Sequence, residues 1–215
     1  MTVDRVGLTP FQIEVAQMFF SLPASAGFLL AGGAALAAQQ LTSRPTRDLD
    51  FFTGPDRGDV PTARDAFEVA AAARGWSVRR VRDSETFCRI VVSGCEDLLV
   101  DLAMDSAPSR PSTVSIAGPT FGLEELAGRK VIALFDRAEA RDFADVYVLA
   151  QRYDKSDLLA WAAEVDAGFS AQVFADMTGA VARFTDDELP CAAEDVRPLR
   201  EFFAEWAADL RATEP

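Results

Sequence analysis

The chain has 215 residues, 34 acidic against 21 basic and no histidine, for a formal charge of −13. The missing histidine excludes Ser–His–Asp triads, histidine general bases and histidine metal sites. Any chemistry must use carboxylates, Lys, Arg, Cys or hydroxyls. A 49% hydrophobic content implies a globular core, and the acidity argues against indiscriminate nucleic-acid binding while allowing a local basic patch.

Thr9-Pro10 reads as an N-cap and first helical residue. Phe11, Val15, Met18 and Phe19 follow at helical spacing, with Gln12 and Glu14 on other faces, until Pro23 ends the helix. The apolar run 24–38 is too short to span a bilayer and is split by Gly32-Gly33. It reads as a buried strand at 28–31, a Gly-Gly turn and a short helix at 34–40. After a loop at 41–46, a second strand carries Asp48 and Asp50 between Leu49, Phe51 and Phe52. Two residues apart on a strand, both carboxylates share one face, about 7 Å apart along the chain.

A turn-rich loop at 54–59 leads to an Ala-rich helix at 62–74, stopped by Gly75. Strands are expected at 76–82, 86–93 and 98–103, the last two joined as an antiparallel hairpin through 94–97. Leu98, Val100 and Leu102 then face one side and Leu99, Asp101 and Ala103 the other. Asp101 therefore needs a partner, since a lone buried charge is costly. It is either a third metal ligand or half of a buried ion pair with an Arg. A loop at 108–119, with a short strand at 113–116, precedes helices near 123–136, 138–152, 155–166, 171–184 and 196–212. The expected division is an α/β part, 1–120, and a helical part, 121–215, that completes the active site.

A Gly-Gly turn facing a carboxylate pair suits Mg²⁺-dependent phosphoryl transfer, with Asp48, Asp50 and Asp101 as hard oxygen ligands for one or two ions. Lys130 lies within the apolar stripe of its helix, either snorkelling at the edge or aimed at a phosphate. Arg137 lies on the same side. Asp142 and Asp145 flank the core face of the next helix. They pair with Lys130 or Arg137 as structural ions, or polarise an attacking hydroxyl. Arg74, Arg79, Arg80, Arg82 and Arg89 form a basic run around Trp76 and Phe87. A solvated strand face explains such a run; contact with RNA phosphates is the sharper reading, with Arg79, Arg80 and Arg82 as candidates. Cys88, Cys95 and Cys191 fit neither a disulfide framework nor a zinc spacing, so a reducing cytoplasm is expected.

Together, residues 30–36 (LAGGAAL), 44–52 (RPTRDLDFF), 99–101 (LVD) and the block from Leu123-Glu-Glu-Leu through Lys130 to Arg141-Asp-Phe-Ala-Asp145 resemble the AbiEii/AbiGii-type nucleotidyltransferase toxins, which include the mycobacterial MenT toxins. The resemblance runs from about residue 28 to 150. It implies an α/β (α+β) polymerase-β-like nucleotidyltransferase core with a mixed sheet, followed by a helical C-terminal part. It implies nucleotide transfer from an NTP with Mg²⁺ to the 3′ end of tRNA, blocking translation, under restraint by a cognate antitoxin. By position, Asp48 and Asp50 would bind metal and Lys130 phosphate. Asp145, with Asp142, would complete the catalytic set. Gly32, Gly33, Arg47 and Arg137 would contact the nucleotide. Thr46 matches a site phosphorylated in some relatives. Ala34 stands where many superfamily members have Ser, leaving more of the phosphate cradle to the backbone. The alternatives are an aminoglycoside-type small-molecule nucleotidyltransferase and a non-catalytic binding module.

Overall fold

The computed structural model describes residues 7–42 and 44–212. Ser43, within the expected 41–46 loop, lies outside the described residues. The chain divides into two compact units, one running through Gly122 and the other beginning at Leu123.

The first unit is a mixed seven-stranded sheet with three helices. Helix α1 (Pro10–Phe20) begins in a capping box, in which the Thr9 hydroxyl accepts from the Gln12 N–H while Gln12 caps Thr9 in return. Strand β1 (Phe28–Ala31) runs straight into α2 (Gly32–Ala38). Gly32 and Gly33 are thus the first residues of the helix rather than a separate turn. They are followed by β2 (Asp48–Thr53), α3 (Val60–Ala73), β3 (Ser77–Asp83), β4 (Phe87–Ser93) and β5 (Asp97–Met104). Two short strands, β6 (Thr113–Ser115) and β7 (Gly118–Thr120), close the unit.

The strand order is β3-β4-β5-β2-β1-β7-β6. β2 pairs parallel with β5 and antiparallel with β1, and β4–β5 is the expected antiparallel hairpin. β7 joins β1 in parallel through Leu30 and Thr120, where the Thr120 hydroxyl donates to the Leu30 carbonyl.

Alternation then sorts the side chains of the central strands. Leu49 and Phe51 of β2, Val100 and Leu102 of β5, and Ile90 and Val92 of β4 are fully buried on one face. Phe51 packs against Phe19 of α1, which reaches Phe67 of α3. Burying a side chain of this size is worth about 1.5–3 kcal/mol. That apolar layer fixes the register, so the opposite face must carry Asp48, Asp50 and Asp101.

The second unit is helical: α4 (Leu123–Arg137), α5 (Ala140–Ala150), α6 (Lys155–Val165), α7 (Ala171–Thr178) and α8 (Ala193–Ala212). The helix expected from 138 starts at Ala140 instead. Ala138 adopts a left-handed conformation (φ 47°), its N–H closing α4 on the Leu134 carbonyl, and Glu139 caps α5. α7 is shorter than expected because residues Gly179–Arg183 tighten into a 3₁₀ turn. α4 crosses α6 at Gly128, where a Cβ would lie 2.5 Å from the Trp161 carbonyl oxygen. Phe143, Phe174, Phe203 and Trp206 fill the core of this unit. No helix among the described residues is long and apolar enough to cross a membrane.

Candidate active site

In the first unit the site is built on the sheet face opposite the aromatic core. Asp50 lies directly across from Asp101 in the parallel β2–β5 ladder, and Asp101 lies across from Arg89 of β4. Three strands thus place two carboxylates and a guanidinium in one row, with Asp48 one pleat away. Arg89 binds Asp101 through two hydrogen bonds, Nε to Oδ1 at 2.8 Å and Nη2 to Oδ2 at 2.6 Å. This pairing holds the Arg89 guanidinium above its usual range, first through the Asp101 bond and further through the charges of Asp50 and Asp48. The ion-pair reading of Asp101 is therefore the arrangement found: both its oxygens are engaged by one arginine. Such bidentate pairs fix geometry as well as charge.

Thr46 orients the pair from the segment leading into β2. Its hydroxyl donates to Asp48 Oδ1 at 2.8 Å, and its carbonyl accepts from Gln12 Nε2 at 2.9 Å. Gln12 and Thr46 are both buried. Gln12 thus uses its oxygen to cap α1 and its amide nitrogen to hold the approach to β2. Helical spacing alone puts Gln12 off the core face. The Thr9-x-x-Gln12 capping-box spacing is the signal of its fixed position.

Gly32 and Gly33 flank the carboxylates. A Cβ on Gly32 would sit 1.8 Å from Asp50 Oδ2, and Gly32 has φ +63°. A Cβ on Gly33 would meet Thr46 Oγ1 at 3.0 Å and Arg44 Nη2 at 3.1 Å. The missing side chains leave the Asp50 carboxylate room beside the backbone. Arg47 is exposed, one residue before Asp48.

No group of three or more His, Cys, Asp or Glu side chains suited to a metal ion occurs among the described residues. The donor set that fits Mg²⁺ is the Asp48–Asp50 pair: hard oxygen ligands on one face, with the remaining positions open to water and phosphate oxygens, as this ion prefers. Cys88 lies on the buried face of β4, its thiol pushed up to about 11 chiefly by burial. It is no nucleophile at neutral pH. A cavity of about 680 Å³ lies at the other end of β1, around Phe20, Phe28, Arg57 and Arg110, and includes none of the carboxylates.

In the second unit the remaining candidates form two ion pairs. Lys130 Nζ of α4 lies 2.8 Å from Asp145 Oδ2 of α5, and both side chains are buried. Arg137 binds Asp142 through Nε and Nη2, each at 2.9 Å, and Asp142 also accepts the Glu139 N–H in the α5 capping box. Lys130 is thus a buried member of its helix stripe rather than a snorkelling edge residue.

The basic run is divided by β3. Arg80 is bound by Glu68 and Asp83 on the α3 side, and Arg64 bonds the same Asp83. Arg79 and Arg82 are exposed, and neither pairs with a carboxylate among the described residues.

Comparison with known proteins gives a consistent picture. The profile of the family described as "Nucleotidyl transferase AbiEii toxin, Type IV TA system" matches residues 19–214. No curated protein sequence matches the chain. Among solved structures, a candidate nucleotidyltransferase of Helicobacter pylori is similar with a TM-score of 0.57 at 18% identity, covering 95% of this chain and 96% of its own. JHP933 from H. pylori gives 0.55 at 17%, covering 94% and 91%. The nucleotidyltransferase toxin MenT4 of Mycobacterium tuberculosis gives 0.55 at 14%, covering 94% and 84%.

Proposed function

The chain belongs to the AbiEii nucleotidyl transferase toxin family, and on that premise we propose that it transfers a nucleotide from an NTP to the 3′ end of tRNA in a Mg²⁺-dependent reaction restrained by an antitoxin. The observation that carries the reading is the Asp48–Asp50 pair on a rigid strand face, with Gly32 letting the Asp50 carboxylate lie against the backbone. In the reaction the acceptor 3′ oxygen forms a bond to the α-phosphorus as the bond to pyrophosphate breaks.

Asp48 and Asp50 would hold the ion, and Thr46 keeps Asp48 turned toward it. When bound, Mg²⁺ supplies positive charge to the triphosphate oxygens as pyrophosphate departs. Arg89 offsets the negative charge that three neighbouring aspartates would otherwise concentrate, and Gly32 and Gly33 would offer backbone rather than side chain to a phosphate. Arg47 is the nearby exposed cation for the nucleotide. In the second unit we assign Lys130 to phosphate binding, Asp145 to the catalytic set and the Arg137–Asp142 pair to holding α4 against α5.

Incubation with Mg²⁺, each labelled NTP and total tRNA should label RNA, and Asp48→Ala should abolish it. No transfer with any NTP, or transfer undiminished in Asp48→Ala, removes the reading. The net charge of −13 disfavours a polyanionic acceptor and keeps a second reading in view, transfer to a small molecule such as an aminoglycoside. Label on such a compound and not on RNA would select it.

We also assign Thr46 as the control point of the site. A phosphate there would replace a hydrogen-bond donor to Asp48 with about two negative charges beside the metal carboxylates. Because Thr46 is buried, modification requires the segment before β2 to open. Loss of transfer on stoichiometric Thr46 phosphorylation is the expected result.

A further inference from the structure

We propose that the β3 end of the carboxylate face, formed by Arg79, Arg82 and Phe87, seats the single-stranded RNA leading to the reacting 3′ end; this rests on the RNA-transfer reading above. Three residues apart on a regular strand, Arg79 and Arg82 would point to opposite faces. β3 carries a register shift between Arg80 and Arg82, so that Arg79 lies across from Val91 and Arg82 across from Arg89. The inserted residue, Val81, re-aims the rest of the strand, as a bulge does. Both arginines therefore share the face of Asp48 and Asp50, while Arg80 and Asp83 turn to the α3 side and bind one another.

Two rows then cross the sheet. One runs Arg82, Arg89, Asp101, Asp50, and the other Arg79, Val91, Leu99, Asp48. Three strand spacings separate Arg82 from Asp50, about 14 Å. The row is polar, and its far end is cationic.

Phe87 stands on the same face two residues before Arg89. Its half-buried ring has the Arg82 guanidinium 5.2 Å and the Arg89 guanidinium 5.7 Å from its centre. An aromatic ring on a sheet flanked by guanidinium groups is a stacking platform for an unpaired base, with the arginines placed for its phosphates. In a chain of net charge −13, two exposed arginines with no carboxylate partner among the described residues, both on the carboxylate face, favour a polyanion over an apolar partner.

The test measures binding of a fluorescein-labelled, 3′-hydroxyl oligoribonucleotide of about 12 nucleotides, a length within one single-strand binding site. Anisotropy is followed against salt above about 0.1 M, where screening confines the interaction to local charges. Wild type is compared with R79A/R82A, R79K/R82K, F87A and R80A. R79A/R82A should bind at least tenfold more weakly, with a log–log salt slope shallower by about 1.4 for two lost single-strand phosphate contacts. R79K/R82K should restore the slope, F87A should weaken binding without changing it, and R80A should change neither. NTP binding by calorimetry should be unaltered in R79A/R82A, which separates this role from donor binding and from misfolding.

Unchanged affinity and slope in R79A/R82A overturn the proposal. If the chain binds RNA through these arginines but transfers nothing, the proposed reaction falls and the surface stands. If transfer proceeds while R79A/R82A binds RNA like wild type, the surface falls and the reaction stands.

Discussion

At Gly32 the backbone lies at φ +63° and a Cβ would collide with Asp50 Oδ2. These two facts predict separate measurements for Gly32→Ala. The left-handed conformation costs an L-residue about 1–2 kcal/mol, which for a chain of this size lowers Tm by roughly 2–8 °C. The collision is with the end of a side chain, so Asp50 swings aside and the backbone stays. Nucleotide transfer should therefore fall about a hundredfold, the scale on which a 1 Å misplacement acts, while the thermal melt stays cooperative. Full activity at a lowered Tm would mean that Asp50 does not act from this position. The shared face of Asp48 and Asp50 was legible in their spacing, because strand alternation is a local rule. Arg89 as the partner of Asp101 was not, since two separate strands of a hairpin must align before the pair exists. The capping-box spacing marks where Gln12 sits, but its hydrogen bond to Thr46, 34 residues away, was hidden for the same reason.

At the level of the helix pair α4–α5, Lys130 and Asp145 invite a misleading experiment. Both are buried and bonded at 2.8 Å, so removing either breaks a buried ion pair inside the second unit. Breaking a buried pair costs about 3–5 kcal/mol, a Tm loss on the order of 10 °C. Lost activity in Lys130→Ala would then say little about chemistry. The informative variant is Lys130→Met with Asp145→Leu, which replaces the pair by apolar side chains of similar size. We expect the double variant to regain most of the Tm lost in either single variant and to remain inactive. Regained activity would make the pair structural only. Helices α4, α5 and α8 could be read from their apolar spacing, because each is amphipathic over at least eleven residues. The boundary at Ala138 was not, since a left-handed alanine carries no sequence signal comparable to glycine. β7 was unreadable too: Gly118-Pro119-Thr120 becomes a strand only by pairing with β1 and β6.

For the molecule as a whole, the charge of −13 opposes any polyanionic acceptor, whereas Arg79 and Arg82 attract it locally. Salt separates the two effects because they act over different ranges. At about 0.01 M the Debye length is roughly 30 Å, so an approaching RNA senses the net charge and is repelled. At about 0.1 M it is roughly 10 Å, and the repulsion fades while the direct arginine–phosphate contacts persist. At higher salt these contacts weaken as released counterions regain less entropy, by about 0.7 in log–log slope per phosphate. Affinity for the oligoribonucleotide should therefore rise, pass through a maximum near about 0.1 M and then fall, unlike the steady decline of a basic protein. R79A/R82A should flatten the falling limb and leave the rising one, because two charges are a small part of the total. A monotonic decline from the lowest salt would show that the acidic residues lie too far from the RNA path to be felt. Salt-independent binding would remove phosphate contacts from recognition altogether.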